Sequence, residues 1–218
     1  ISIISLLLIV QPDIGQTFLI VFSWSVLIFT SGINIFILLA FFCSAIIFLT
    51  YLIIYVPKFN YIQGRILSFF DRETGTHNFQ SDKAIDSITS GGFFGKGIGE
   101  GTLKNRVPEA HTDYIISVIS EEFGVVAIML ILLLFLIFIY MVFKKISFET
   151  DDKTKLILIG SISLILMQAT IHIGVNIRLF PTTGMTLPFL SYGGSSIIST
   201  SILACLLYTS DAADERRR

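Results

Sequence analysis

The chain has 218 residues, of which 53% are hydrophobic and only 14% charged, and its formal net charge is −1. Soluble domains average about 25% charged residues, so this composition predicts an all-α, polytopic membrane helix bundle. Because the chain has neither a basic excess nor a lysine- and arginine-rich block, the sequence argues against nucleic acid as a partner.

Apolar runs long enough to cross a bilayer as helices divide the chain. Four full spans are predicted at roughly 14–30, 33–56, 114–143 and 156–177, with partial spans at 1–10 and 196–208. The opening run has the character of the end of a helix, so we expect a fragment of a longer protein. The charged tail 208–218 is unlike the rest, and we interpret it as an artefact without function.

Two features of the apolar runs have simple interpretations. Cys43 and Cys205 lie far apart and without metal-ligand spacing, which predicts small buried hydrophobic residues. Lysines at 144, 145, 153 and 155 favour a cytoplasmic position for the 144–155 connector, although the positive-inside rule alone decides this weakly.

The one large polar segment, residues 57–113, contains the glycine-rich stretch SGGFFGKGIGEGT. Part of it, residues 79–90, is predicted either as a short amphipathic helix at the membrane interface or as loop. Chemistry in water is expected in this segment, since the remaining connectors are short.

Acidic residues also occur inside a predicted span. Asp113, Ser117 and Glu121 recur every four residues and therefore form one stripe along the helix. Glu121 would lie about 12 Å into the membrane if the helix stood upright. A carboxylate at that depth requires a partner, so the stripe should face protein or a water-filled cavity. Glu122 lies off this stripe, and the sequence does not identify its partner.

A second polar stripe, Gln168, His172 and Asn176, has the same spacing. It is interpreted as hydrogen-bonded helix packing or as cavity lining, and the spacing of His172 does not predict a metal ligand. Two segments rich in proline and glycine, QPDIG at 11–15 and FPTTGMTLPFLSYGGSS at 180–196, interrupt the spans. They are either plain turns or re-entrant backbone lining a cavity.

The motifs QPDIGQT, SGGFFGKGIGEGT, PEAHTDYIISVISEEFG and PTTGMTLPFLSYGGSS, in this order, resemble those of the SEDS family (shape, elongation, division and sporulation). The resemblance covers nearly all of residues 1–207 and is closer to the division branch than to the elongation branch. It implies about ten membrane helices, of which this chain would lack roughly the first four. It also implies that 57–113 is extracytoplasmic and that 144–155 is cytoplasmic.

The resemblance implies a peptidoglycan glycosyltransferase that polymerises lipid II with inversion and releases undecaprenyl pyrophosphate. The aspartate of the HTD motif, Asp113, would be the general base. From the residues alone, capping of the helix that follows is the stronger interpretation of Asp113, and the two roles are compatible.

Further residues are predicted to support the site. Glu109, His111 and Thr112 flank Asp113, and Lys96 and Arg65 would balance the charge of the pyrophosphate, with Arg65 equally suited to the membrane interface. The other candidates are Glu121, Asp13, Ser191, Tyr192, Ser195 and Ser196. Thr183 and His172 depart from the family pattern, in which a lysine and an amide are common, so a cation at 183 must be absent or supplied from elsewhere.

The resemblance also implies partners and a location. The expected partners are lipid II, a class B penicillin-binding protein transpeptidase, other divisome proteins and membrane lipids, in the bacterial plasma membrane at the division septum. No cofactor is certain, and a divalent cation stays open. Two alternatives to the enzyme remain: a lipid II flippase, and a non-catalytic divisome scaffold.

Overall fold

The computed structural model of the chain describes residues 2–11, 13–70, 76–102 and 107–215, which form α-helices and no β-strand. The predicted all-α class is therefore confirmed. The helices are α1 (Ser2–Val10), α2 (Ile14–Thr30), α3 (Ile35–Tyr55), α4 (Asn60–Phe70), α5 (Thr76–Gly91), α6 (Ile115–Phe148), α7 (Asp152–Asn176) and α8 (Gly194–Glu215), with one 3₁₀ turn at Pro57–Phe59.

The long helices follow the predicted spans closely. Helices α3, α6 and α7 are long and apolar enough to cross a membrane, whereas α2, with 17 residues, and the apolar part of α8 are shorter. Helix α6 continues five residues beyond the predicted end at 143, to Phe148. The Nζ of Lys145, in this extension, donates a 2.6 Å hydrogen bond to the carbonyl of Leu207 in α8. Because three of its helices have the length and composition of membrane spans, the chain is a multi-pass membrane protein.

Helix α7 lies at the centre of the bundle and packs against α2, α5, α6 and α8. Two hydrophobic clusters stabilise it at different levels. One cluster includes Leu19, Tyr114 and Met185, and the other includes Leu158 of α7 and Leu207 of α8. The first cluster joins the start of α6 to the loop after α7, and this is where the candidate residues converge.

The polar segment between α3 and α6 is folded into helices α4 and α5. Helix α5 contains the residues 79–90 predicted as a helix, and its main contact is with α6. The buried face of α5 carries small residues, namely Ser81, Ala84, Ser87 and Gly91. Small side chains let the α5 backbone approach α6 closely, which an amphipathic helix with large apolar residues would prevent.

The two cysteines are both exposed, so the prediction that they are buried is wrong. Cys43 lies on α3, in which no residue is buried among those described, and Cys205 lies on the outer face of α8. The outer surface of a membrane helix is as apolar as its inner surface, and apolar neighbours in the sequence therefore do not indicate burial.

Candidate active site

Helix α6 is broken at Gly124, which has φ 76° and ψ −176°. The break is filled by the glycine loop, residues 91–97. Two loop amides donate to carbonyls before the break, and two α6 amides after the break donate to loop carbonyls. The four bonds are Lys96 N to Glu121 O (2.9 Å), Gly97 N to Glu122 O (3.0 Å), Val125 N to Gly92 O (3.0 Å) and Val126 N to Phe93 O (3.3 Å). The loop thereby satisfies backbone groups that the break in the helix would otherwise leave without partners.

The glycines of this junction are required by close backbone contact. A Cβ on Gly91 would lie 1.9 Å from the carbonyl oxygen of Ser120, and one on Gly124 would lie 2.3 Å from that of Phe93. Gly95 would clash in the same way with Glu122 and also has a positive φ of 78°. These glycines allow the loop and the broken helix to fit together.

Glu121 is fully buried and accepts hydrogen bonds from three separate segments. The donors are Ser87 Oγ of α5 (2.9 Å), Lys96 Nζ of the glycine loop (3.2 Å) and the amide of Thr102 (2.9 Å). The buried Glu121 carboxylate is therefore compensated by hydrogen-bond donors of the protein. The sequence did not identify a partner for Glu122. In the structure, Glu122 Oε1 accepts a 3.2 Å hydrogen bond from the amide of Gly99. Lys96 forms an ion pair with Glu121, and its role at a pyrophosphate stays a prediction.

Asp113 lies at the end of a tight turn that begins at Glu109, whose φ is 54°. The Glu109 carbonyl accepts hydrogen bonds from the amides of Thr112 (3.1 Å) and Asp113 (3.0 Å), and its carboxylate accepts one from Thr112 Oγ1 (3.1 Å). The N-cap of α6 is Tyr114, without a side-chain capping bond. The interpretation of Asp113 as the helix cap is therefore wrong, and its half-buried carboxylate is not used for capping.

The surroundings of Asp113 make its carboxylate more basic than that of an exposed aspartate. Burial raises the pKa of the carboxyl above its ordinary value, and the nearby charge of Glu109 raises it further. The hydrogen bond from Thr112 and the positive charge of Arg65 lower the pKa, but these effects are smaller. A carboxylate with a raised pKa is a better proton acceptor than an ordinary aspartate, which suits a general base.

The loop after α7 fixes the backbone around Asp113. Ser191 Oγ accepts a 2.8 Å bond from the Leu187 amide and donates a 2.7 Å bond to the Thr112 carbonyl. The exposed Tyr192 contributes its backbone amide, which donates to the carbonyl of His111 at 3.0 Å. Ser191 and Tyr192 thus join the SYGG motif to the HTD motif. The sequence alone did not predict this contact.

The polar stripe of α7 holds the same loop from the other side. His172 Nδ1 lies 2.8 Å from the Met185 carbonyl, so Nδ1 must carry the proton, since a carbonyl only accepts. Gln168 Nε2 donates to the Thr186 carbonyl (2.9 Å) and to Ser196 Oγ (3.2 Å). Asn176 Nδ2 donates to the backbone carbonyl of Asp113 (3.0 Å). These contacts support the packing interpretation of the stripe over cavity lining.

A cavity of about 340 Å³ opens beside this turn, with polar lining residues that include Asp13, Arg65, Thr182 and Thr183 and apolar ones that include Ile14 and Ile62. Arg65 Nη1 donates to the Thr182 carbonyl at 2.9 Å, and Asp13 caps α2 by accepting from the Gln16 amide at 3.0 Å. Arg65 is the cation among the residues that line the cavity, and it supplies positive charge beside Thr183, where the family pattern has lysine.

Gly184 separates this cavity from Asp113. A Cβ at Gly184 would lie 3.5 Å from Asp113 Oδ2, and the glycine has a φ of 69°. With no side chain in between, the carboxylate lies next to the rim of the cavity, beside Thr183. This juxtaposition of Asp113, Arg65 and the cavity is the candidate active site.

The remaining predicted residues are distributed around the site. Ser196 accepts from Thr186 Oγ1 at 2.7 Å, whereas Ser195 is exposed at the start of α8. His111 is exposed and contributes only its carbonyl in the described contacts. Within the described ranges, no group of three or more His, Cys, Asp or Glu side chains is arranged to hold a metal ion.

Sequence reasoning missed an ion pair between Arg178 and Asp82, which joins the end of α7 to α5. Arg178 has a positive φ of 60°, a conformation that the sequence does not signal in a non-glycine residue. A cation directly after an apolar span was the available signal. It is ambiguous, because such residues often lie at the membrane interface.

Comparison with known proteins places this arrangement in a family. The family model FTSW_RODA_SPOVE, described as a cell cycle protein, matches residues 1–216. The chain belongs to this family. A probable peptidoglycan glycosyltransferase FtsW of Caulobacter vibrioides is 35% identical over 200 residues, which are 90% of this chain and 49% of the relative. One of the same description from Nitrosomonas europaea is 33% identical over 223 residues, 100% of this chain and 57% of the relative.

A solved structure has the same fold. It comes from a study of how a peptidoglycan synthase complex coordinates polymerization and crosslinking, and it matches with a TM-score of 0.72 at 25% identity, over 95% of this chain and 59% of that one. The chain therefore spans about half the length of the FtsW/RodA/SpoVE relatives that it matches.

Proposed function

We propose that the chain forms the catalytic half of a peptidoglycan glycosyltransferase that polymerises lipid II during bacterial cell division. The observation that carries the proposal is the position of Asp113, whose half-buried carboxylate does not cap α6 and lies beside a cavity lined by Arg65. The FtsW relatives and the synthase-complex neighbour support the same activity.

In the proposed reaction, the carboxylate of Asp113 accepts the proton of an acceptor sugar hydroxyl. The hydroxyl oxygen forms a bond to the anomeric carbon of a second lipid-linked sugar as the bond from that carbon to the pyrophosphate breaks. Undecaprenyl pyrophosphate leaves with the bonding electrons, and the anomeric centre inverts. A positioned general base contributes roughly 10²–10⁴-fold to such a step.

Arg65 is suited to stabilise negative charge at the site. Its guanidinium lines the cavity and is oriented by the bond to the Thr182 carbonyl. A fixed cation near a leaving pyrophosphate stabilises the charge that grows as the bond breaks. The cavity of about 340 Å³ is at the small end of ligand sites, so it would hold one sugar or phosphate unit and not a whole lipid II molecule.

The site would face the extracytoplasmic side of the plasma membrane, with the 144–155 connector in the cytoplasm and the protein at the septum. A class B penicillin-binding protein is the proposed partner, alongside other divisome proteins and membrane lipids. The synthase-complex neighbour supports an assembly that couples polymerization to crosslinking.

A flippase is the main alternative, since acidic residues within membrane helices also occur in transporters. In this chain the deep carboxylate of Glu121 is held by donors from three segments, which disfavours a moving transport path. A scaffold without catalysis is the second alternative, and it predicts that the charge of Asp113 is dispensable.

The test uses a chimera in which this chain replaces the matched segment of the Caulobacter vibrioides relative. The chimera is purified with a class B penicillin-binding protein and given labelled lipid II in detergent, where transport is impossible. Asp113→Asn keeps the size of the side chain but removes the base, and Asp86→Asn, on the exposed face of α5, is the matched control.

The proposal expects glycan chains from the parent chimera and from Asp113→Asn at most about 1% of the parent rate, consistent with a general-base contribution of 10²-fold or more. Asp86→Asn should polymerise normally. Equal polymer from Asp113→Asn would overturn the role of Asp113. A monodisperse, partner-bound chimera that makes no polymer, beside an active unmodified relative, would overturn the activity. Rescue of division by the Asp113→Asn chimera would support the scaffold.

A further inference from the structure

The first part of α6, residues 115–123, is a short helical segment that ends at the break. At 1.5 Å per residue it is about 13 Å long. Asp113 stands at its beginning, and Glu121 is close to its end. Because the continuous hydrogen-bond ladder stops at Gly124, the rest of α6 does not fix the height and rotation of this segment by itself.

We propose that Glu121 is a positioning residue for Asp113, acting with Lys96 as a latch that holds the glycine loop in the break of α6. The inference rests on the proposed function, since it names what keeps the catalytic carboxylate in register with its cavity. Glu121 lies two helical turns from Asp113 and does not itself contact the reacting groups.

The geometry of the latch supports this role. The Glu121 carboxylate accepts from Ser87 on α5, from Lys96 within the glycine loop and from Thr102 beyond it. One side chain therefore ties three segments of the preceding chain to the first part of α6. Gly101 packs against the same carboxyl, because a Cβ there would lie 2.9 Å from Cδ of Glu121.

Replacement of the Glu121 carboxylate by an amide would remove the negative charge that pairs with Lys96 and would turn one of the two acceptor oxygens into a donor group. Glu121 and Ser87 are fully buried, so the lost bonds would not be replaced easily by water. The glycine loop would then be held in the break mainly by its backbone bonds to α6. A looser loop lets residues 115–123 shift relative to α7.

A shift of residues 115–123 would also displace Asp113, which directly precedes this part of α6. Ser117, midway between Asp113 and Glu121, is also fully buried and donates to the Tyr114 carbonyl at 2.7 Å. The packing along the stripe is therefore continuous. Asp113 faces the rim formed at Gly184, a residue held by the loop after α7 and not by α6. Misplacement of about 1 Å between reacting groups can cost about 10²-fold in rate.

The test compares Glu121→Gln and Lys96→Met with a matched control, Lys83→Met/Asp86→Asn. The control removes an exposed ion pair of 3.1 Å on α5 and leaves the break intact. In the chimera we expect Glu121→Gln to lower kcat by about 10- to 100-fold with KM changed less than about threefold. The double variant Lys96→Met/Glu121→Gln should be no slower than Glu121→Gln alone, because the Lys96 side chain acts through its ion pair with Glu121.

A redox rescue separates positioning from loss of folding. The Lys96 amide donates a 2.9 Å hydrogen bond to the Glu121 carbonyl and the two side chains form an ion pair, so these positions are chosen for a pair of cysteines. In a background of Cys43→Ser/Cys205→Ser, the double substitution Lys96→Cys/Glu121→Cys should recover most of the lost kcat when oxidised and lose it again when reduced. Wild-type kcat in Glu121→Gln, or an oxidised protein as slow as the reduced one, would overturn the inference.

Hydrogen exchange gives a readout that does not depend on activity. Glu121→Gln should increase amide exchange across residues 109–117 by at least several-fold, while the Lys83→Met/Asp86→Asn control should match the parent. Unchanged exchange in Glu121→Gln would overturn the positioning role even if no polymer formed. An inactive parent with the expected exchange would count against the proposed function alone.

Discussion

The side-chain amide of Asn176 donates a 3.0 Å hydrogen bond to the backbone carbonyl of Asp113. The same Nδ2 lies 2.9 Å from the His172 carbonyl and 3.2 Å from His172 Nε2. One buried residue of α7 therefore fixes the backbone of the candidate base to the central helix of the bundle.

Substitution of Asn176 by alanine should lower both stability and turnover. The buried Asp113 carbonyl would lose its donor, which costs about 1–3 kcal/mol. Asn34→Ala is the control, since Asn34 caps α3 at an exposed turn and its loss should affect stability without reducing kcat. Thermal unfolding in detergent and the polymerisation rate measure the two effects, and normal kcat in Asn176→Ala would show that this bond does not position Asp113.

The pH dependence of the reaction should follow the charges around Asp113. A base acts when ionised, so activity should fall as the pH drops through its pKa. Glu109→Gln removes a charge that raises the pKa of Asp113 and should move this acidic limb to lower pH. Arg65→Gln removes a charge that lowers the pKa and should move the limb to higher pH. Profiles of kcat against pH, with shifts in opposite directions, are the expected result, and shifts in the same direction would contradict it.

Asp113→Asn should fold at least as stably as the parent at neutral pH. Burial raises the pKa of Asp113 in the folded state, so above its unfolded pKa ionisation of this carboxyl opposes folding. The neutral amide avoids that penalty. The midpoint of thermal unfolding at pH 7 should therefore be equal or higher, while polymerisation is lost. A clear drop in the midpoint would indicate that the carboxylate has a structural role.

The break in α6 should be intolerant of a side chain at Gly124. Gly124→Ala places a Cβ 2.3 Å from the Phe93 carbonyl, in addition to the strain of a positive φ. Gly32→Ala is the matched control, because Gly32 has a φ of 91° but no atom within 4 Å of the added Cβ. The control should lose about 1–2 kcal/mol from backbone strain alone. Denaturant unfolding should show a larger loss for Gly124→Ala, and equal losses would mean that the glycine loop moves freely out of the break.

The bond between Ser191 and the HTD segment should contribute to activity. Ser191→Ala removes the donor to the Thr112 carbonyl and the acceptor of the Leu187 amide, with a cost of about 1–3 kcal/mol for the buried groups. Ser195→Ala, at an exposed neighbour, should change neither stability nor rate. Parallel measurements of unfolding and polymerisation on the two variants decide the point, and indistinguishable variants would contradict it.

The spans were predictable because apolar length and the proline and glycine interruptions set their limits. Helix α2 begins and ends where the run at 14–30 does, and the stripe of Ser117 and Glu121 is buried as its spacing required. The proposed catalytic role of Asp113 rests on the family resemblance, since the residues alone favoured an N-cap that the structure does not form.

The break at Gly124 was not predictable from the sequence. Glycine is frequent in membrane helices, and an uninterrupted apolar run follows Gly124, so the glycine itself does not signal a break. The partner that fills the break lies about 30 residues earlier, in a glycine-rich stretch that a single sequence presents only as loop. Long-range contacts of this kind, like that between Asp82 and Arg178, follow from tertiary packing and leave no local periodicity.

The insertion of the glycine loop into α6 also constrains the length of the chain. Backbone hydrogen bonds join this loop to α6 at both of its ends, Gly92 and Phe93 to Val125 and Val126, and Lys96 and Gly97 to Glu121 and Glu122. A one-residue insertion or deletion between 91 and 97 would put every later loop amide out of register with α6. The stretch should therefore be fixed in length even where its exposed side chains, such as Phe94, vary freely among relatives.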